Sequence, residues 1–368
     1  LANAEGFAGN VTSGCDDYAA AERQLKTLMK RRIPYMSTTE REGLWHSLSS
    51  LFTMMTPYAL KAKQTQTAFT KSCYDALVMS KAFLLESERS MFDVIKTKGT
   101  AEDMNLYAVL ASMKNQVKAW ERDYKVNADS ILSVSRRVSR QENLLANRCK
   151  GYSDGTGFMD VDYDAVKQTL QQNEVLIDFT DYISQSQGRK YAAYIINRIQ
   201  DNPLLRPLFA ERQIDSLGIV RPDMYYDKDY AQDMLRLIWE PLKEDVSEGA
   251  TVYYVPSQLL FQVSLESLPL PDGSLLGNHY RFVRLSSARE LLKMRSGGED
   301  GKANTAVLYG GLQYDLETSA MAEESKKYDL LSLLAMRGEV ARGDSIFHYL
   351  QGTKDEIEKI ENVLKQNK

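Results

Sequence analysis

The sequence is poor in the residues that most often carry chemistry. It has three cysteines and three histidines. The cysteines Cys15, Cys73 and Cys149 are far apart, odd in number and form no C-x-x-C pair, which argues against a disulfide framework and against a zinc site. We therefore expect a reducing compartment, no structural metal and no cofactor.

Features of membrane and nucleic-acid proteins are also missing. No apolar run approaches the roughly 20 residues that cross a bilayer. The net charge of −4 gives no field that would gather nucleic acid or an anionic membrane. The first ten residues lack the basic and apolar regions of a signal peptide, although Leu1 in place of Met indicates a trimmed start. These features favour a cytoplasmic protein with neither nucleic acid nor a membrane as partner.

Familiar catalytic and binding motifs are absent as well. There is no Gly-x-Ser-x-Gly elbow, and Ser257 lacks the flanking glycines of such a nucleophile. Asp160–Asp164 has the opening spacing of a calcium loop, but Ala165 and Gln171 replace the required Gly and Glu. No Gly-Lys-Ser/Thr phosphate loop occurs. The residues present assign no catalytic role by themselves.

The first 150 residues have a helical pattern. Pro34, Pro57 and Gly99 separate its segments, so several helices are expected. From Ala101 to Lys150 there is neither Gly nor Pro, and apolar residues recur at steps of four and three. This pattern predicts a single helix of about 45 residues, which belongs to an antiparallel hairpin or to the end of a helical array.

After the glycine-rich stretch Gly151–Asp164, the period changes to that of strands. An amphipathic helix is expected over Asp229–Val246, and a last helix with Thr353 as N-cap. Strands are predicted at residues 174–183, 191–198, 251–255, 259–263, 281–285 and 305–311. Strands that alternate with helices indicate an α/β sheet.

One run resembles a known family. Trp239, Pro241 and Leu242 end a helix, the strand TVYYV follows, and then come VSLESL at residues 263–268 and LSSAREL at residues 285–291. This order is similar to the start of a CHAT domain, the caspase-like cysteine peptidase module that bacteria place after tetratricopeptide repeats. Ser257-Gln258 stands where that family usually has Asp-Gly.

The resemblance implies an α + α/β architecture. Residues 1–150 would be a helical arm, a hairpin or bundle left from tetratricopeptide-like repeats, and residues 151–164 a linker. Residues 165–300 would be the front, pseudo-catalytic subdomain, and residues 301–368 the start of the caspase-like catalytic subdomain. The family's catalytic His and Cys would follow the last helix, beyond Lys368, so a truncated sheet is expected.

The resemblance also suggests two functional segments. By analogy with caspases, the rim of the substrate pocket falls at Leu350, Gln351, Gly352 and Thr353. The long insert before them is typical of a functional loop. We expect it to be a mobile rim or an activation segment cleaved at Lys326, Lys327, Arg337 or Arg342; the alternative is a tolerated surface insertion.

The expected function follows from this resemblance. The chain would be the non-catalytic N-terminal part of a cysteine peptidase, with scaffold strands and helices that sense a protein or peptide partner. Its second partner would be the C-terminal catalytic segment of the same protein. The alternative is a helical interaction protein that stands alone and has no enzymatic activity.

Overall fold

The computed structural model describes residues 10–121, 124–148, 153–184, 186–215, 228–296, 306, 308–311 and 351–366. The chain forms two compact units. The first contains Leu1–Gly99 and Ala146–Gly297, and the second contains Thr100–Leu145 and Gly298–Lys368. Helices before Gly99 pack on the sheet of the first unit, and the domain boundaries at residues 150 and 164 stay predictions.

In the described part of the first unit, the first four α-helices are α1 (Val11–Arg32), α2 (Thr38–Lys61), α3 (Ala68–Ser80) and α4 (Phe83–Lys98). The start of α2 is fixed by a capping box, in which Ser37 and Glu40 satisfy each other's backbone amides. Pro57 lies inside α2 and does not end it.

A sharp break separates α3 from α4. Lys81 is extended and Ala82 has a φ of 55°, the left-handed conformation that residues other than glycine rarely adopt. Neither Gly nor Pro marks this point in the sequence. We call residues 81–82 the elbow.

The second unit contains a helical hairpin made of α5 (Ala101–Glu121) and α6 (Tyr124–Arg148). Lys114 Nζ on α5 lies 2.7 Å from Glu142 Oε1 on α6. On one straight helix these residues would be about 42 Å apart at 1.5 Å per residue. The prediction of a single long helix over this range is therefore wrong.

Returning to the first unit, α7 (Tyr163–Thr169) leads into a five-stranded mixed sheet. Its strands are β1 (Glu174–Ser184), β2 (Gly188–Asn197), β3 (Leu204–Ala210), β4 (Thr251–Val255) and β5 (Arg281–Arg284). Their order is β3-β2-β1-β4-β5, with β1, β2 and β3 antiparallel in turn and with β4 and β5 parallel to β1. The predicted β1–β2 hairpin is confirmed, and so is the layout of a helical region followed by an α/β sheet.

Short helices cover the ends and faces of this sheet. They are α8 (Glu211–Asp215), α9 (Lys228–Ile238), α10 (Leu276–His279) and α11 (Ala288–Ser296). The strand predicted at residues 259–263 is wrong, since Gln258–Gln262 is a 3₁₀ helix. Leu260 is buried within this helix, and the next buried side chain, that of its C-cap Val263, follows three residues later; this spacing suits a 3₁₀ turn rather than the alternation of a strand.

Each face of the sheet has its own apolar core. Leu176 on β1 packs with Tyr74, Tyr194 and other residues of the helical side, whereas Val175 and Ile177 pack with residues such as Ile238 on the opposite side. Phe158 and Met159 of the predicted linker belong to the first of these cores. Burial on both faces explains why β1 has an almost continuous apolar sequence.

The described end of the second unit is α12 (Gln351–Gln366). Thr353 lies inside this helix instead of capping it, and its hydroxyl accepts a hydrogen bond from Gly311 N at 3.0 Å. Residues 306 and 308–311 have no strand geometry, and the rest of the strand predicted at 305–311 lies outside the described residues. Among the described helices, none is long and apolar enough to span a bilayer.

Candidate functional site

The edge where parallel strands end is the usual ligand site of an α/β sheet. Here Asp178 on β1 pairs in register with Val255 at the end of β4. Lys81 of the elbow reaches between these two strands. Its Nζ lies 2.6 Å from Asp178 Oδ1, 2.7 Å from the Phe179 carbonyl and 3.4 Å from the Val255 carbonyl. Because an ammonium group has three donors, this position is chemically saturated.

Asp178 is the buried carboxylate of this edge. It is fully buried and also accepts a hydrogen bond from Tyr74 Oη at 3.5 Å. Burial raises the pKa of Asp178, and the nearby charge of Lys81 opposes that effect. Burial likewise raises the pKa of the Tyr74 phenol, with the charge of Asp178 adding to it. Lys81 and Asp178 thus form a buried ion pair that joins the elbow to the sheet.

Arg289 on α11 completes this link from the other side. Its side chain is buried, its guanidinium lies 5.7 Å from the ring of Phe158, and its two terminal nitrogens donate to the carbonyls of Val78 and Lys81. These carbonyls lie at the end of α3 and in the elbow. We call Lys81, Asp178, Tyr74 and Arg289 the elbow anchor.

Sequence reasoning found only part of this anchor. Arg289 was included through the LSSAREL motif, with no role assigned, while Lys81 and Asp178 were missed. A signal for Asp178 exists, because this carboxylate lies between the apolar residues Ile177 and Phe179 in the middle of a strand, and a buried carboxylate there requires a partner. No sequence signal identifies Lys81 as that partner, since it lies almost a hundred residues earlier.

Ser257 follows β4 and is held by a hydrogen bond to a strand of the sheet. Its hydroxyl donates to Asp181 Oδ1 at 2.6 Å, and Asp181 is held by Arg189, which also lies 3.3 Å from Glu211 Oε2. The recorded acceptor of the Ser257 hydroxyl is thus a carboxylate already engaged by an arginine, and no histidine is among the contacts recorded for Ser257. Gln258, the next residue, has a φ of 46°.

A second serine lies in an arrangement similar in spacing to a catalytic triad. Ser274 Oγ lies 2.9 Å from His279 Nε2, and His279 Nδ1 lies 2.8 Å from Glu248 Oε1. However, the Ser274 hydroxyl also donates to Asp272 at 2.6 Å, so its proton has a closer acceptor. The hydrogen bonds among Ser274, His279 and Glu248 therefore stabilise a turn.

The backbone around Ser274 supports that conclusion. A hydrolase needs free amides to stabilise the oxyanion of its intermediate. The amide of Ser274 donates to Asp272, and the amide of Leu275 donates to Asn278. The amide of Gly273 bonds to the carbonyl of Leu270. These amides are already occupied.

The cysteines are equally unsuited to catalysis. Cys15 and Cys73 are buried, and burial raises the pKa of both thiols. A nucleophilic cysteine needs the opposite shift. Cys149 lies outside the described residues. In the part of the chain that the structure describes, no group of three or more His, Cys, Asp or Glu side chains could hold a metal ion.

The predicted pocket rim is only partly visible. Gln351 begins α12, and Gly352 and Thr353 are in its first turn. Leu350 lies outside the described residues, as do the predicted cleavage residues Lys326, Lys327, Arg337 and Arg342. The rim and the activation segment remain predictions.

The geometry therefore defines a class of site: a closed structural junction at the edge of an α/β sheet. Comparison with known proteins assigns no family to it. No protein-family model matches the chain, and no match was found among the curated proteins.

Proposed function

We propose that this chain is the non-catalytic front part of a caspase-like cysteine peptidase of the CHAT type. Its sheet braces a catalytic segment that follows Lys368, and its helices contact a protein or peptide partner. The observation that carries this proposal is the elbow anchor. Lys81 fills the edge of β1 and β4 where an enzyme of this architecture would bind its substrate.

The backbone after β4 also supports the resemblance. Gln258 has a φ of 46° and occupies the position where the family has the Gly of its Asp-Gly pair. Glycine adopts this conformation at little cost. In this proposal, Gln258 adopts the backbone conformation that a glycine would adopt at the same position.

The LSSAREL motif gains a structural role in this proposal. Arg289 is buried and donates to carbonyls at the end of α3 and in the elbow. This motif joins the sheet to the preceding helices. Such a link suits a scaffold in which partner binding to the helices affects the sheet. Buried, unpaired Cys15 and Cys73 suit the reducing environment of a cytoplasmic protein.

In the complete enzyme the catalytic thiolate would attack the peptide carbonyl, with the histidine as general base and then general acid. The test is to treat the product of the whole gene with a peptidyl acyloxymethyl ketone, which alkylates active-site cysteines. The modified residue is then identified by peptide mass spectrometry. We expect one labelled cysteine after Lys368 and no labelling of residues 1–368 expressed alone.

Two results would overturn the proposal. Labelling of Cys15, Cys73 or Cys149 would place the nucleophile within this chain. Labelling of no cysteine, with a panel of probes that differ at the residue before the cleavage point, would favour the alternative of a helical interaction protein. The filled edge at Lys81 is compatible with that alternative as well.

A further inference from the structure

The contact between α1 and α3 has an aromatic centre. Tyr18 on α1 lies 6.4 Å from the ring of Phe69 on α3 and 4.9 Å from the ring of Tyr58 on α2. Cys15 and Cys73 are buried in the same core. An interface of this kind normally contains no ionised group unless that group has a partner.

Glu22 on α1 departs from this rule. Its side chain is only 4% exposed, and its Oε1 atom is buried with no hydrogen-bond partner. Burial is the main reason that the pKa of Glu22 rises to about 7, and the charge of Asp75 on α3 adds to it. Lys26 and Arg23 of α1 oppose the rise. The Glu22 carboxyl therefore loses its proton only around neutral pH, instead of near its ordinary value of 4.5.

Asp75 on α3 acts on Glu22 through its charge, and its own pKa is also shifted. Burial raises its pKa to about 6, and the charge of Asp162 contributes to the rise. The amide of Tyr163 donates to its Oδ1 at 2.6 Å, and Lys26 and Lys71 supply opposing charge. Two carboxyl groups thus share one interface.

We propose that α1 is a pH-sensitive clamp, which closes on α3 while the Glu22 and Asp75 carboxyl groups retain a proton and opens when both ionise. When both are charged, two like charges face each other in a buried interface, and one oxygen of Glu22 has no donor. Opening gives both carboxylates access to water. It also exposes the core that contains Cys15 and Cys73.

The sign follows from proton linkage. The closed state holds the Glu22 proton with a pKa of about 7, above the ordinary value of 4.5 that applies when the group is in water. Closing is therefore fully favoured below pH 4.5, and this contribution is lost as the pH rises through 7. Between pH 6 and pH 8.5, the open fraction should rise about tenfold through Glu22 alone.

The test measures how fast N-ethylmaleimide labels Cys73, which is 1% exposed in the closed state. Thiol reactivity itself changes with pH, so the wild-type rate is divided by the rate of Glu22→Gln at each pH. Glutamine has the size of glutamic acid and cannot ionise. We expect this ratio to rise about tenfold from pH 6 to pH 8.5. Glu42→Gln, at an exposed position of α2, should behave as the wild type does.

A ratio that stays flat across this pH range would overturn the proposal, provided that far-UV circular dichroism shows both proteins folded. If Glu22→Gln does not fold, Asp75→Asn replaces it. That variant removes the facing charge, so its own Cys73 labelling should rise less with pH than the wild-type labelling. Equal rises would contradict the clamp.

Discussion

Lys81 Nζ and Asp178 Oδ1 are 2.6 Å apart, and this ion pair joins the elbow between α3 and α4 to the centre of the sheet. The carboxylate is 1% exposed and the lysine 14% exposed. At such a depth neither charge can be left alone without a large penalty. The pair therefore fixes where the helices meet the sheet.

Removing the lysine should destabilise the first unit strongly. We expect Lys81→Met to lower the free energy of unfolding by about 3–5 kcal/mol, because Asp178 is left buried without its partner. Urea denaturation measures this loss. Adding Asp178→Asn should recover part of the loss, and Lys96→Met, at an exposed position of α4, should change stability by less than about 0.5 kcal/mol. A loss below about 1 kcal/mol for Lys81→Met would contradict a buried ion pair, because a loss that small is typical of a pair exposed to water.

The sequence predicted the parts of the fold that depend on local pattern. β1 and β2 could be predicted because two β-rich runs are joined by a turn-forming segment, and the two strands pair antiparallel in the structure. The return of α6 along α5 could not be distinguished from a straight helix, since the apolar period has neither Gly nor Pro to interrupt it. The elbow at Ala82 is held by tertiary hydrogen bonds from Arg289 and Lys81, which no local pattern indicates.

The turn after β4 can be stabilised by restoring a glycine. Gln258 has a φ of 46°, in which a side chain is strained and a glycine is not. We expect Gln258→Gly to raise the free energy of unfolding by about 1 kcal/mol, measured by urea denaturation. Gln258→Ala is the control for loss of the side chain and should give no such gain. Gln262→Gly, in the same 3₁₀ helix but without a positive φ, should reduce stability. A loss of stability for Gln258→Gly would mean that the glutamine side chain contributes more than the strain costs.

Gly310 tests the contact between the end of the predicted strand and α12. A Cβ atom at Gly310 would lie 2.4 Å from Ile357 Cδ1 and 2.5 Å from the Thr353 carbonyl oxygen. The second contact is with backbone, so it cannot be relieved by a side-chain rotation. We expect Gly310→Ala to weaken this packing by about 1–3 kcal/mol, detected as faster hydrogen exchange in α12. Gly352→Ala has no atom within 4 Å of its new methyl group and should leave exchange unchanged or slower. Equal exchange in the two variants would contradict the close approach.

The ion pair between Lys114 and Glu142 provides a test of the hairpin itself. Glu142 is 5% exposed, so Lys114→Glu would place two like charges in a largely buried contact. We expect a loss of about 2–4 kcal/mol, measured by thermal or urea unfolding. The swapped double variant, Lys114→Glu with Glu142→Lys, should recover most of it, because the attraction is restored with its sign reversed. Lys118 lies at an exposed position of the same helix and serves as the control. The double variant Lys118→Glu with Glu142→Lys should give no such recovery in a hairpin of this register. If the Lys114 and Glu142 effects simply add, the two residues are far apart in solution, as they would be on one straight helix.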